Sequence, residues 1–345
     1  MKKILFVLAL GLTGSLAAQA RDAVAQMTFR VTDDFGNVVT NAPVSVSTFK
    51  KWIPGDGFGR DEHAHVDGVT DTNGTVTLKI PSKTGDVRYS VFAAGTYFDK
   101  TLKMKVCGMD YYKDRGGSVL FKNNVDRKWQ PWNPTVDLVV KRVLNPVPMY
   151  AQFLERSDTM FSAYNTPVGY DLMKGDWVSP YGKGEISDFI FSLDCQLGEV
   201  TRDQIQYFDA TMHLTFSNEG DGIQEYEAKP RQGSVLRLPR FAPDTGYKPE
   251  WAQKAFEHKD ASNYGYNENQ NYIYRVRTKK DDEGCIVSAL YGKIQGPISF
   301  SVLNFGAKFG MKYYLNPTPN DRNLEFDLKQ NLFKNLPSRE EVQEP

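Results

Sequence analysis

Short stretches of alternating apolar and polar residues recur along this chain, the first being Met27-Thr28-Phe29-Arg30-Val31-Thr32. A period of two puts every second side chain on one face, so each such stretch predicts a half-buried strand. A turn follows at residues 33–37, then the pair Val38 and Val39 and a second strand at 42–46. Residues 54–67, rich in Gly, Asp and His, show no period and are expected to form a loop. Asn73-Gly74 supplies the left-handed backbone that a tight reversal needs, and further strands follow at 75–80, 88–92 and 136–141. Turn signals this close together, with no helical run between them, predict an antiparallel β-sandwich over residues 21–144 with long inserts.

Pro146 and Pro148 resist both helix and sheet interior, so residues 145–148 are expected to be a linker. Beyond it, alternation predicts strands at 188–197, 209–217, 224–228, 271–278, 285–291, 298–304 and 308–315, with a polar hairpin loop at 279–284. One helix is expected at 249–258, where Pro249 suits a first helical position and Trp251, Ala255 and Phe256 share a face. The second part, residues 149–337, is thus a β-rich domain with one short helix, followed by a polar tail at 338–345. The predicted fold class is all-β.

The N-terminus changes the setting. Residues 1–20 run from Lys2 and Lys3 through an apolar stretch at 4–12 to Ala18-Gln19-Ala20, the pattern of a cleavable secretory signal. A mature chain beginning near Arg21 is expected in the periplasm or outside the cell. Apolar runs after the signal, as at 136–140 and 189–193, fall short of the roughly 18 residues a membrane helix needs. The first cysteine, Cys107, is too distant to anchor a lipid at the signal junction, and the polar tail ending at Pro345 does not suit an outer-membrane barrel. With 42 basic and 42 acidic side chains, loss of Lys2 and Lys3 leaves 40 against 42, or −2. So even a charge balance does not draw in nucleic acid.

Val31, Asp33, Gly36, Val39, Ala42 and Val44, then Thr70, Asp71, Gly74, Val76 and Ile80, then Tyr89, Val91, Gly95 and Tyr97 resemble the transthyretin-like, carboxypeptidase-regulatory-like family of exported sandwich domains. The resemblance covers roughly residues 26–142 and departs from the family at 49–65 and 107–135. It implies an Ig-like, transthyretin-like antiparallel sandwich and a noncatalytic role as a folding, spacing or binding module.

His63 and His65 are the sharpest candidates for chemistry. On an extended segment both imidazoles project to one side, and with Asp61 they make a candidate zinc, copper or nickel shell beside Asp56, Glu62 and Asp67. The oxygen-rich stretches 56–67 and 219–222 are candidate calcium loops, although neither has the spacing of an EF-hand. Solvated polar loops are the plainer reading of all three. Trp129 and Trp132 on a proline-stiffened segment, with Tyr111 and Tyr112, form a candidate surface for a partner protein or a glycan, or else pack between domains. Tyr264, Tyr266, Tyr272 and Tyr274 read as cross-strand packing.

Cys107, Cys195 and Cys285 allow at most one internal bridge, with Cys195–Cys285 the candidate pair and three buried thiols the alternative. No GxSxG, HExxH, GxxxxGK or GxGxxG motif occurs, and His213 and His258 read as structural histidines. The sequence therefore leads to an exported structural, assembly or protein-binding component whose partner is an envelope or extracellular protein, or a glycan. The competing expectations are a hydrolase of envelope or extracellular polymer with an accessory sandwich, and a carbohydrate-binding module.

Overall fold

The computed structural model describes residues 22–55, 57–97, 105–106, 109–110, 116–154, 160–161, 165–198, 200–201, 204–205, 207–228, 234–303 and 306–345. The signal-like segment, Asp56, Cys107, Tyr111 and Tyr112 lie outside them. Strand accounts for 57% of the interpretable chain and helix for none, so the fold is all-β.

The first sandwich is built on Ala23–Asp33, whose buried and half-exposed residues alternate almost without exception. Along one edge this strand pairs antiparallel with Thr75–Ser82, from Ala23 opposite Ser82 to Arg30 opposite Thr75. Along the other it runs parallel to Lys128–Gln130 and then to Thr135–Val140. The closing strand is therefore parallel to the first, where antiparallel neighbours were expected throughout. The facing sheet has the order Arg60–Val69, Pro43–Ile53, Asp86–Val91, Gly116–Leu120. Met27, Phe29, Val31, Val44, Val46, Ile80, Val87, Val91 and Val140 fill the space between them. Each such side chain contributes about 1.5–3 kcal/mol of burial.

Carboxylates fix two turns of this sandwich. Asp33 accepts the N–H groups of Phe35 and Asn37, both at 2.9 Å, and its other oxygen takes Arg142 Nε at 2.7 Å. Burial opposes ionisation of Asp33, but Asn37, Phe35 and Arg142 outweigh it and bring its pKa down to about 2. Asp71 accepts from the N–H groups of Asn73 and Thr75 in the same manner.

Two larger sheets face each other in the second half. One has the order Gly222–Glu227, Gln270–Lys280, Ile286–Ile294, Gly306–Asn316, Val147–Leu154, Phe326–Asn331, with Met160–Phe161 and Ser299–Leu303 also on Gly306–Asn316. The other runs Asp176–Trp177, Val168–Asp171, Phe189–Leu197, Phe208–Thr215, Glu250–Glu257, Ser262–Asn263. Their shared core is aromatic, with Phe191 on Phe309 at 4.7 Å and Phe189 on Tyr274 at 4.8 Å between ring centres. Buried tyrosine hydroxyls find acceptors: Tyr313 donates toward Gln152 and the Leu172 carbonyl, and Tyr274 to the Tyr314 carbonyl.

Three expectations change here. The helix at 249–258 is the strand Glu250–Glu257, paired residue for residue with Phe208–Thr215. Trp251 and Ala255 are both buried, and a separation of four places residues on one face of a helix and of a strand alike. Neighbouring backbone settled the choice. Residues 54–67 are not all loop, since Arg60–Val69 pairs with Pro43–Ile53; it is an edge strand held by backbone bonds, with only Ala64 and Val66 against the core. The expected linker also contributes to a strand, Val147–Leu154, whose register against Phe326–Asn331 shifts between Val147 and Met149, around Pro148.

Lys293 is completely buried in this half, its ammonium 2.6 Å from the Leu324 carbonyl and 4.7 Å from the centre of the Tyr314 ring. Burial, reinforced by Lys141, brings its pKa down from 10.5 to about 7. Between those two values the unfolded chain holds a proton that the folded chain has released, so stability rises with pH across that window. Below it both states are protonated and the penalty is fully present. The melting temperature is expected to climb from pH 7 to pH 9, and Lys293→Met to flatten that climb; a wild-type curve flat over this interval would contradict the assignment.

Candidate functional site

The hairpin of Pro43–Ile53 and Arg60–Val69 outruns its own sheet. The two strands pair from Pro43 opposite Val69 to Ile53 opposite Arg60, whereas the neighbouring strand Asp86–Val91 pairs only with Val44 to Ser47. The outer half, from Phe49 onward, is thus a two-stranded ribbon beyond the sandwich. At its end Phe58 is 99% exposed and Trp52 56% exposed. The Trp52 ring lies where a Cβ on residue 59 would stand, so glycine at 59 lets the indole approach the opposite strand closely. Lys50 and Lys51 both pair with Glu62 and hold its carboxyl below the ordinary value.

His63 lies at the base of this ribbon opposite Phe49 and His65 just inside the sheet opposite Ser47, with ring centres 6.5 Å apart, and Phe49 meets His63 edge-on at 6.4 Å. His65 and Asp61 are exposed and His63 is half-buried. Among the described residues no group of three or more His, Cys, Asp and Glu is arranged to hold a metal ion. In the other oxygen-rich stretch, Asp221 accepts from the N–H groups of Arg277 and Thr278 and from Asn218, while Glu219 pairs with Lys280. Its carboxylates are engaged by the chain itself.

Trp129 donates its indole N–H to the Ser82 carbonyl at 2.9 Å and covers Gly85, where a Cβ would collide with the ring. Trp132 is half-buried with the Lys128 ammonium 5.3 Å above it. The indole of Trp129 thus serves the first sandwich. Cys195 and Cys285 are both free; Cys285 is exposed, while burial and then Asp209 push the half-buried Cys195 thiol up to about 11, away from a reactive thiolate. His213 sits between Asp194 at 3.4 Å and Glu250 at 2.9 Å, and His258 rests on Asp209 at 2.9 Å.

A pair of buried carboxylates comes together far from any of these. Asp171 and Asp188 are 2% and 1% exposed and share Arg277, whose Nε and Nη2 reach Asp188 at 2.7 and 2.8 Å and whose Nη2 reaches Asp171 at 3.1 Å. Asp171 also accepts from four backbone N–H groups, those of Met173, Lys174, Glu185 and Ile186, and Asp188 from that of Leu172. Burial pushes Asp188 above the usual carboxylate range despite Arg277, whereas the N–H donors hold Asp171 below it. Spent on five backbone donors and one guanidinium, the pair clamps the chain between residues 171 and 188. Arg277 reaches it from a register shift in Gln270–Lys280, with φ of 55°.

A second polar cluster joins the two halves. Arg240 contacts Asp34 at 2.7 Å and Glu325 at 2.8 Å, the latter as an ion pair without hydrogen-bond alignment. Glu325 also accepts from Tyr97 Oη at 2.7 Å and the Leu144 N–H at 2.8 Å, and Lys141 donates to the Leu238 carbonyl at 3.1 Å. Tyr97, Val235 and Leu236 seal it with an apolar patch.

A cleft of about 880 Å³ opens in the second half, lined by residues that include Leu154, Gln253, Tyr264, Tyr266, Ser301 and Lys308. Tyr264 and Tyr266, expected to pack across strands, are instead 46% and 65% exposed. Their separation by Gly265, in a stretch without alternation, was the available signal, as was the placing of Trp52 and Phe58 among glycines. No helix among the described residues is long and apolar enough to cross a membrane. Neither a protein-family model nor a curated protein matches this chain.

Proposed function

We propose that the protein is exported and works by contact, as a binding or assembly component that engages another envelope or extracellular protein through the ribbon tip. The observation that carries this reading is the exposure of Phe58 and Trp52 at the end of a hairpin that has left its sheet. Large aromatic side chains held in water lose burial they would gain at a protein interface, where Trp above all supplies much of the binding energy. The transthyretin-like resemblance of residues 26–142 supports the same role, and the signal-like residues 1–20 support the address.

A photoreactive amino acid at position 58, activated in producing cells, is expected to yield one discrete adduct. Trp52→Ala should abolish it while leaving the melting temperature within a degree or so, as surface changes do. A diffuse ladder, or an adduct indifferent to residue 52, would overturn the reading. Fractionation with N-terminal sequencing tests the address, with Arg21 the expected first residue.

A further inference from the structure

We infer that the cleft of the second half binds an acidic oligosaccharide. This inference is independent of the ribbon. The volume, about 880 Å³, lies within the range of about 300–1,000 Å³ typical of small-molecule sites.

One wall comes from the chain that follows Glu250–Glu257. Gln253 Nε2 donates to the Tyr264 carbonyl at 3.0 Å, Tyr264 Oη donates to Glu257 at 2.6 Å, and the Tyr264 ring leans on Phe208 at 6.2 Å. These contacts hold the segment in place, and Tyr266 two residues on keeps its ring in water. The Tyr264 ring, held before binding, costs little to order, and both tyrosines offer a flat apolar face to the C–H bonds of a sugar.

The opposite wall is the edge strand Ser299–Leu303 on Gly306–Asn316. Ser299 stands opposite Gly310 and Ser301 opposite Lys308. Lys308, Gly310 and Lys312 share a face by the period of two, and all three line the cleft, with no side chain at 310 between the two lysines. Lys312 is occupied, with Glu344 at 3.4 Å and the Phe153 ring centre at 5.8 Å. Lys308 has no ion-pair partner among the described residues. The Ser301 hydroxyl matches a sugar hydroxyl, while that of Ser299 leans on the Gly310 carbonyl at 3.4 Å, and the Lys308 ammonium selects an anionic group on the same ligand.

Affinity electrophoresis through gels containing polygalacturonate, chondroitin sulfate or dextran tests this. The wild-type chain is expected to be retarded by at least one of the two acidic polymers and not by dextran, the arm that works showing whether carboxylate or sulfate is preferred. Tyr266→Ala and Lys308→Gln should each weaken the interaction about tenfold, while Tyr266→Phe, which keeps the ring, and Phe58→Ser, on the ribbon, should not. Equal mobility in all three gels overturns the inference. So does wild-type retardation of both weakening variants, or displacement by polyglutamate as effective as by oligogalacturonate, which would mark a bare charge patch that also takes acidic peptide. Matched melting temperatures separate lost binding from lost folding.

Discussion

Replacing Arg277 with methionine is expected to destabilise the protein by about 3–5 kcal/mol, the usual cost of removing one partner from a buried ion pair. The expectation rests on what stays behind. Asp188 is 1% exposed, its carboxyl already pushed up by burial, and without the guanidinium it retains a single backbone donor, Leu172. It must then be protonated or admit water. Asp171 keeps its four N–H donors and suffers less. The measurement is thermal unfolding, where a loss of this size lowers the melting temperature by about 10 °C. Arg277→Met combined with Asp188→Asn should recover part of it, because the orphaned charge is gone. A single-variant loss below about 1 kcal/mol would mean that water already reaches the pair, against the burial described above.

Arg240→Ala is expected to cost about 3 kcal/mol and to change the form of unfolding as well as its midpoint. The side chain is 11% exposed and stands between Asp34, 15% exposed, and Glu325, 2% exposed. Asp34 belongs to the first sandwich and Glu325 to the second half, so truncation leaves two acids facing each other across the junction. In calorimetry the variant should show two separated transitions where the wild type shows more closely coupled ones. Arg240→Ala with Glu325→Gln tests the cause, since removing one acid should bring the transitions back toward each other. Unchanged coupling in the single variant would place the cohesion in the apolar contacts of Tyr97, Val235 and Leu236 instead.

Period-two alternation located the strands Phe189–Leu197 and Phe208–Thr215 to within a few residues, because each has one buried face, and the apolar runs of Gln270–Lys280 and Gly306–Asn316, buried on both faces along most of their length, marked those two. Where the period was ambiguous or the strand polar, the backbone of a neighbour decided, as at Glu250–Glu257 and Arg60–Val69. The polar clusters were less legible. Arg277 lies 106 residues from Asp171 and 89 from Asp188, and nothing in a linear chain marks three such residues as partners. The cleft draws on three separate stretches, and its tyrosines carry the same letters as those in the core. By contrast His63 and His65, two apart in sequence and conspicuous, remain two neighbouring rings on an edge strand.

The placing of Ala23–Asp33 at the heart of its sheet, with partners at 75–82 and again at 128–140, bears on how this protein comes to be folded. Within the first sandwich, this strand has to wait for residues 128–140 before both of its edges are paired. Until then the core around Ala25, Met27, Phe29 and Val31 lacks Leu138 and Val140, and pairing over so long a separation is intrinsically slow.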